Sequence, residues 1–353
     1  IHNNTTLMHN IPFPQDRAIA GWLLVCCILV FAMVILGGVT RLTGSGLSIV
    51  EWKPVTGLVP PLSQEAWETE FDKYRASPEY RKVNLGMDLD GFKSIYWFEY
   101  AHRLLGRSIG VAFLVPFLYF LARRRIAPAL SARLLGLFLL GGLQGLMGWY
   151  MVASGLVDNP HVSQYRLTAH LLLAFVIYGY MLWLALELWY PRDRQSPPSG
   201  HARLRIPALA LTLWALLTIA SGGFVAGLKA GFAYNTFPLM DGHWIPQVMW
   251  LFDPWWTNLF DNIATVQFNH RLLALLTLAG VVALWLWGQR QGLGGRARLA
   301  LHLLLAAGLL QVALGISTLL LHVPLSLAAA HQGGALLLLS VLVYLNHALR
   351  RSS

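Results

Sequence analysis

Eight apolar runs constrain this chain more than any other feature. They start near Ala18, Tyr100, Ala132, Leu167, Ile206, Thr265, Leu299 and Leu325, and each is long enough, at about 20 residues, to cross a ~30 Å hydrocarbon core as a helix. Composition agrees: of 353 residues, 56% are hydrophobic and only 12% charged, whereas soluble domains run near a quarter charged. The expected fold class is an all-α integral membrane protein with eight transmembrane helices. There is no room for a soluble second domain, and no βαβ unit to carry a flavin or nicotinamide fingerprint.

A formal charge of +10 raises the question of nucleic acid, and its distribution answers it. Arg123, Arg124, Arg125 and Arg133 lie between spans two and three, and Arg192, Arg194, Arg203 and Arg205 between four and five. Arg290, Arg296 and Arg298 follow span six, and Arg350 and Arg351 end the chain. The alternate loops are balanced or acidic. By the positive-inside rule both termini are cytoplasmic, or on the matrix side in a mitochondrion, and the basicity is a topology signal rather than a nucleic-acid footprint. Cys26 and Cys27 are adjacent inside the first span, which suits neither a disulfide nor a metal and leaves them as packing residues. Residues 18–36 run straight into GGVTRLTGSGLS without a small-residue cleavage site, so they read as a retained span rather than a signal peptide.

Spans one to four and five to eight share landmarks in the same order, the sign of an internal repeat. Gly37-Gly38-Val39 corresponds to the GGFV at Gly222, and the HRLL at His102 to the HRLL at His270. LQGLMG from Leu143 returns as LQVALG from Leu310, and the pair His161/His170 returns as His322/His331. The architecture expected is two pseudo-symmetric four-helix bundles side by side, residues 1–190 with a long outer loop at 41–98, and residues 191–353. The outer loops should form a cap with short amphipathic pieces such as Leu62 to Arg75, and small residues such as Gly37, Gly38, Gly145 and Gly148 suit close helix approach.

Position sorts the twelve histidines. His102, His170, His270 and His331 share one setting, the first turns of even-numbered spans, and therefore a similar depth below the outer surface. A single histidine in a span is more often structural than a ligand; four at matched depth, two per bundle, reverse that weighting. Zinc favours cysteine or carboxylate ligands at clustered spacing. A di-iron carboxylate bundle needs several glutamates, and the second half has Gln267 where the first has Glu99. Histidines facing each other across a bundle are good axial ligands for haem, which pairs His102 with His170 and His270 with His331. His161 and His322 compete as ligands, but nine residues is two and a half helical turns, so they cannot share a haem face with His170 and His331. Arg103 and Arg271 are candidates for binding haem propionates in a fork, against the alternative that they snorkel to outer headgroups. Glu99, three residues before His102, is a candidate general base or charge stabiliser; otherwise it pairs with Arg103 or Lys93.

In GGVTRLTGSGLS, EWKPVTGLVPP, EYAHRLLGR and YNTFPLMDG, and over nearly its whole length, the chain resembles the haem A synthases, in the subgroup of alphaproteobacteria and mitochondria. The resemblance implies oxidation of a methyl group of haem O to the formyl group of haem A. It implies that His102, His170 and Glu99 belong to the substrate half, and that His270 and His331 hold a haem b cofactor. Family members with a cysteine pair in an outer loop exist; this chain has none. Water is the expected oxygen source and the final electron acceptor is not legible.

The partners expected are haem O, a haem O synthase, membrane lipid and a second copy of the chain, without nucleic acid. The expected location is the bacterial inner membrane, or the mitochondrial inner membrane if the source is eukaryotic. The rival reading is a diheme electron-transfer protein of the cytochrome b561 kind, with two equivalent bis-His sites. A haem-handling or export protein is a third.

Overall fold

The structure, a computed structural model, describes residues 14–52, 56–157, 160, 162–190 and 199–350. Its helices are α1 (Pro14–Leu42), α2 (Gln64–Arg75), α3 (Pro78–Lys82), α4 (Leu89–Ala122), α5 (Pro128–Gly155), α6 (Gln164–Trp189), α7 (Ser199–Gly227), α8 (Asn258–Asp261), α9 (Ile263–Gln289), α10 (Gly295–Leu320) and α11 (Leu325–Ala348). Eight of them, α1, α4, α5, α6, α7, α9, α10 and α11, are long and apolar enough to span a membrane. Local chemistry marks their starts. Asp88 accepts from the Gly91 N–H at the head of α4, Asn262 accepts from Ala264 and Thr265 at the head of α9, and Pro128 occupies the first turn of α5, where its missing N–H costs nothing.

In the first half α1 packs on α4 and α6, with α5 closing the ring between α4 and α6; in the second, α7 packs on α9 and α11, with α10 between α9 and α11. The halves meet along α1–α11, α6–α7 and α6–α11, so each pairing has its counterpart under exchange of halves. Lipid is as apolar as leucine, and helices in a membrane are held by close packing and polar contacts rather than by escape from water. The seam shows both. Leu336, Leu339 and Val343 of α11 join a core cluster with Ile19, Leu23, Cys26 and Cys27 of α1 and Phe175 and Leu184 of α6, which places both cysteines in packing roles. Tyr178 and Ser340 hydroxyls meet at 2.8 Å between α6 and α11, and Gln332 donates to the Val34 carbonyl at 2.8 Å between α11 and α1.

The two ends of the molecule differ. At one, the segments after α6, α9 and α11 gather: Arg350 donates to the Tyr190 carbonyl, Arg296 lies over the Tyr190 ring, and Gly294 N–H donates to His201. At the other stands a cap. Here the structure departs from the expected boundary, since α4 begins at Leu89 rather than near Tyr100. Its first three turns rise above the apolar run because Phe92, Tyr96 and Tyr100 bury against Phe71 and Tyr74 of α2, with Phe92 stacked on both at 5.1 Å. His102 is therefore deep within its helix, whereas His170, His270 and His331 do lie in the first two turns of α6, α9 and α11. The amphipathic piece expected at Leu62 to Arg75 is α2, capped by Ser63.

Candidate functional site

Each of the four histidines rests on a glycine of the neighbouring helix. A Cβ placed on Gly37 (α1) would stand 3.2 Å from His102 Nε2, and one on Gly148 (α5) 3.3 Å from His170 Cε1. One on Gly222 (α7) would stand 3.1 Å from His270 Cε1, and one on Gly315 (α10) 2.8 Å from His331 Cε1. Glycine inside a helix costs roughly 0.5–1 kcal/mol relative to alanine, and these contacts are the reason the chain carries it there. The repeated GG and LQxxxG landmarks are thus seats for the imidazoles. The glutamines of the second motif complete them: Gln144 donates to the His170 carbonyl at 3.1 Å and meets its ring Nε2 at 3.2 Å. Gln311 donates to the His331 carbonyl at 2.9 Å and meets its Nδ1 at 3.2 Å.

In the second half the pair is arranged as axial ligands would be. The His270 and His331 ring centroids are 6.4 Å apart with the planes at 86°. Two imidazoles on opposite sides of one metal, with metal–nitrogen bonds of about 2 Å and each nitrogen about 1 Å from its ring centre, give roughly this separation. Ser221 Oγ lies 2.8 Å from His270 Nδ1 and Gln311 engages His331 Nδ1. Ser221 Oγ donates to the Thr218 carbonyl and so can accept the His270 Nδ1–H, the usual outer-shell arrangement of a histidine whose Nε2 would ligate a metal; at His331 the group facing Nδ1 is the Gln311 amide nitrogen, a donor. In the first half the His102 and His170 rings make no such close pair. His170 Nδ1 is buried without a partner. Among the described residues no group of three or more His, Cys, Asp or Glu side chains comes together, which leaves zinc and di-iron carboxylate centres without a ligand set. His322 is exposed in a left-handed turn after α10, away from the ring pair; His161 lies outside the described residues.

Beside each pair, an α4 or α9 residue and an arginine one turn later tie down the loop that precedes that helix, and the two halves do it with opposite polarity. Glu99 is 3% exposed. Its Oε1 accepts from Arg103 Nε at 3.0 Å and Nη2 at 2.6 Å, and its Oε2 accepts from Ser48 Oγ at 2.7 Å and the Ile49 N–H at 2.8 Å. Four donors converge on it, as a carboxylate requires. Gln267, 2% exposed, instead donates to the carbonyls of Ala230 and Ala233 and accepts from Arg271 Nη2 at 2.9 Å. The loop after α1 offers donors; the loop after α7 offers acceptors. Both arginines are occupied: Arg103 also donates to the Ile49 and Glu51 carbonyls, and Arg271 to those of Tyr234, Thr236 and Leu239. Of the five N–H groups of a guanidinium, each keeps one free. Lys93 pairs with Asp90, so Glu99 has Arg103 as its ionic partner.

Reading the sequence missed Arg166, whose guanidinium lies 4.6 Å over the Tyr150 ring. It missed Glu79 as well, a buried carboxyl in α3 at 6% exposure, pushed up to about 7 by burial and the Glu99 charge against the pull of Lys229 and Arg41. A comparison of the two halves at Arg166 and Tyr150 would have found the first; the second has no sequence signal, since the fold alone buries it.

The chain matches the profile of the COX15-CtaA family, cytochrome oxidase assembly protein, over residues 20–343. It is 58% identical over 339 residues to a heme A synthase of Nitrosospira multiformis, covering 96% of this chain and 95% of that protein. It is 53% identical over 334 residues to one of Rhodospirillum centenum, covering 95% and 89%. With the heme A synthase COX15 of Arabidopsis thaliana it shares 47% over 354 residues, 96% of this chain and 76% of the relative. A match over nearly the whole length, reaching across bacteria and a plant, places this chain in the COX15-CtaA family of cytochrome oxidase assembly proteins.

Proposed function

We propose that the protein is a haem A synthase of an energy-transducing inner membrane, with its basic end in the cytoplasm or matrix, in which residues 1–190 act on haem O and residues 191–353 hold haem b. The observation that carries the reading is the unequal pair Glu99/Gln267 beside histidines that all rest on glycines of a neighbouring helix, in a chain 58% identical to a heme A synthase. A diheme cytochrome has no need of that inequality.

Oxidation of the methyl group to a formyl group with water as the oxygen source releases four electrons and four protons. His270 and His331 would hold the haem b, which supplies a one-electron acceptor when bound. His102 and His170 would orient haem O, with Gly37 and Gly148 fixing the imidazole planes. Glu99 would take the protons one at a time, each released to water before the next is accepted. One lone pair of its Oε2 is freed when the Ser48 hydroxyl turns from it to the Ser45 carbonyl, already within 3.1 Å, while the Ile49 N–H keeps Oε2 and Arg103 holds Oε1, so that the carboxylate does not swing away. A positioned base of this kind contributes typically 10²–10⁴-fold to rate.

Pigment extracted from the purified protein tests the reading. Haem O or haem A beside haem B is the expected result; haem B alone, at two per chain, would make the protein a diheme cytochrome.

A further inference from the structure

In the proposed function the substrate half must grip a macrocycle that carries two carboxylates, and neither arginine next to a histidine has a fork to offer. Arg103 and Arg271 each spend four N–H groups on their own loop and helix. Arg166 is different. It is half-buried on α6, and its guanidinium makes no hydrogen bond or ion pair with any described residue. It precedes His170 by four residues, so it stands on the same helix face one turn nearer the outer end, and helical side chains lean towards that end.

Its guanidinium lies 4.6 Å over the ring of Tyr150, on α5, two residues beyond the Gly148 that seats His170. A planar cation stacked on an aromatic face loses little by way of solvation and keeps its N–H edge open. The couple occurs in one half only. Applying the repeat shifts of the flanking landmarks, Arg166 falls on Leu327 and Tyr150 on Ser317, so the second half has neither the charge nor the ring.

We propose that Arg166, braced on Tyr150, is the carboxylate-binding residue of the substrate half, taking a propionate of the haem coordinated by His170. A macrocycle held by His170 would extend past the next turn of α6, the turn that carries Arg166. The arginine marks the first half as the site that must capture and release its haem, while the second retains its own by its two imidazoles. The same guanidinium could be taken by a lipid phosphate at the membrane surface, and the experiment separates the two anions.

The full-length protein is titrated with ferric protoporphyrin IX and, separately, with its propionate dimethyl ester, followed by absorbance; the first-half phase is the one that His170→Ala removes. The parent should prefer the diacid by about tenfold or more, the scale of a hydrogen bond to a charged group. Arg166→Leu, which installs the second half's residue, should abolish that preference, and Arg166→Lys, which retains charge without the fork, should keep part of it. A preference that survives in Arg166→Leu overturns the proposal and leaves the guanidinium to lipid. Equal weakening of diacid and ester also overturns it, since that is lost packing on Tyr150. Should the leucine variant misfold, Tyr150→Ser carries the test: a reduced diacid preference supports the brace, and an unchanged one overturns it. Turnover enters none of these measurements, so failure of the synthase reading, seen in the extracted pigment, is distinguishable from failure of this one.

Discussion

At the level of single residues, the carboxylate at Glu99 is dictated by what faces it. Its Oε2 receives the Ser48 O–H and the Ile49 N–H, so the amide of Glu99→Gln would set either an NH2 against two donors or its oxygen there and its NH2 against Arg103. A buried donor left unmatched costs about 1–3 kcal/mol. Glutamine is well placed at 267 because Ala230 and Ala233 present carbonyls there. Glu99→Gln should therefore lower stability by about 1–3 kcal/mol and, if Glu99 is the base, also lower the haem A formed per bound haem by about 10²–10⁴-fold. Chromatography of extracted haems, normalised to occupancy, reads the second effect separately from the first. Wild-type turnover per bound haem in a less stable variant would make Glu99 a loop anchor only. The spacing to His102 and the contrast with Gln267 were legible beforehand; the ring of four donors was not, because two of them come from a loop half a hundred positions away in sequence.

At the level of elements, a helix–helix contact is set by the smallest residue in it. Gly315 and Gly148 occupy equivalent places, yet an added Cβ would come to 2.8 Å from His331 in one and 3.3 Å from His170 in the other. The first distance forces the imidazole or the helix to move; the second is relieved by a few tenths of an ångström. Gly315→Ala should thus strip haem from the second half while the first still binds, and Gly148→Ala should weaken the first half less. Gly145→Ala, with nothing within 4 Å, should be neutral or slightly stabilising, since alanine is the better helix former. Absorbance spectra and haem per chain check all three. A Gly315→Ala protein with full haem content would show that the seat does not hold the ligand.

For the whole molecule, the diglycine steps join the halves as well as seating the histidines. Gly38, beside the seat of His102, lies against Gln332, the residue after His331; Gly223, beside the seat of His270, lies against Thr168, two residues before His170. The two contacts are not equally yielding. A Cβ on Gly38 meets the flexible end of Gln332, whereas one on Gly223 would stand 3.1 Å from the Thr168 Cα, so α6 itself must retreat from α7. Gly223→Ala should therefore lower the thermal unfolding midpoint more than Gly38→Ala, and combination with Gln332→Ala should rescue Gly38→Ala. Equal midpoints for the two single variants would mean that the seam gives way elsewhere.

The sequence by itself determined the class and the plan of this protein: eight apolar runs of spanning length, basic loops alternating with neutral or acidic ones, and landmarks recurring in the same order. These are properties of composition and period, carried by each segment without reference to its neighbours. It also singled out four histidines and the odd glutamate, because a duplicated chain marks its own departures from symmetry. Tertiary structure alone decided what those residues touch. That α4 rises into the cap, that each imidazole rests on a glycine of another helix, that Arg103 and Arg271 are bound to their own loops while Arg166 lies over the Tyr150 ring of α5: each depends on separate segments of the chain arriving within a few ångströms. No periodicity records such a meeting, since a side chain's partner is chosen by the packing of helices and not by its place along one.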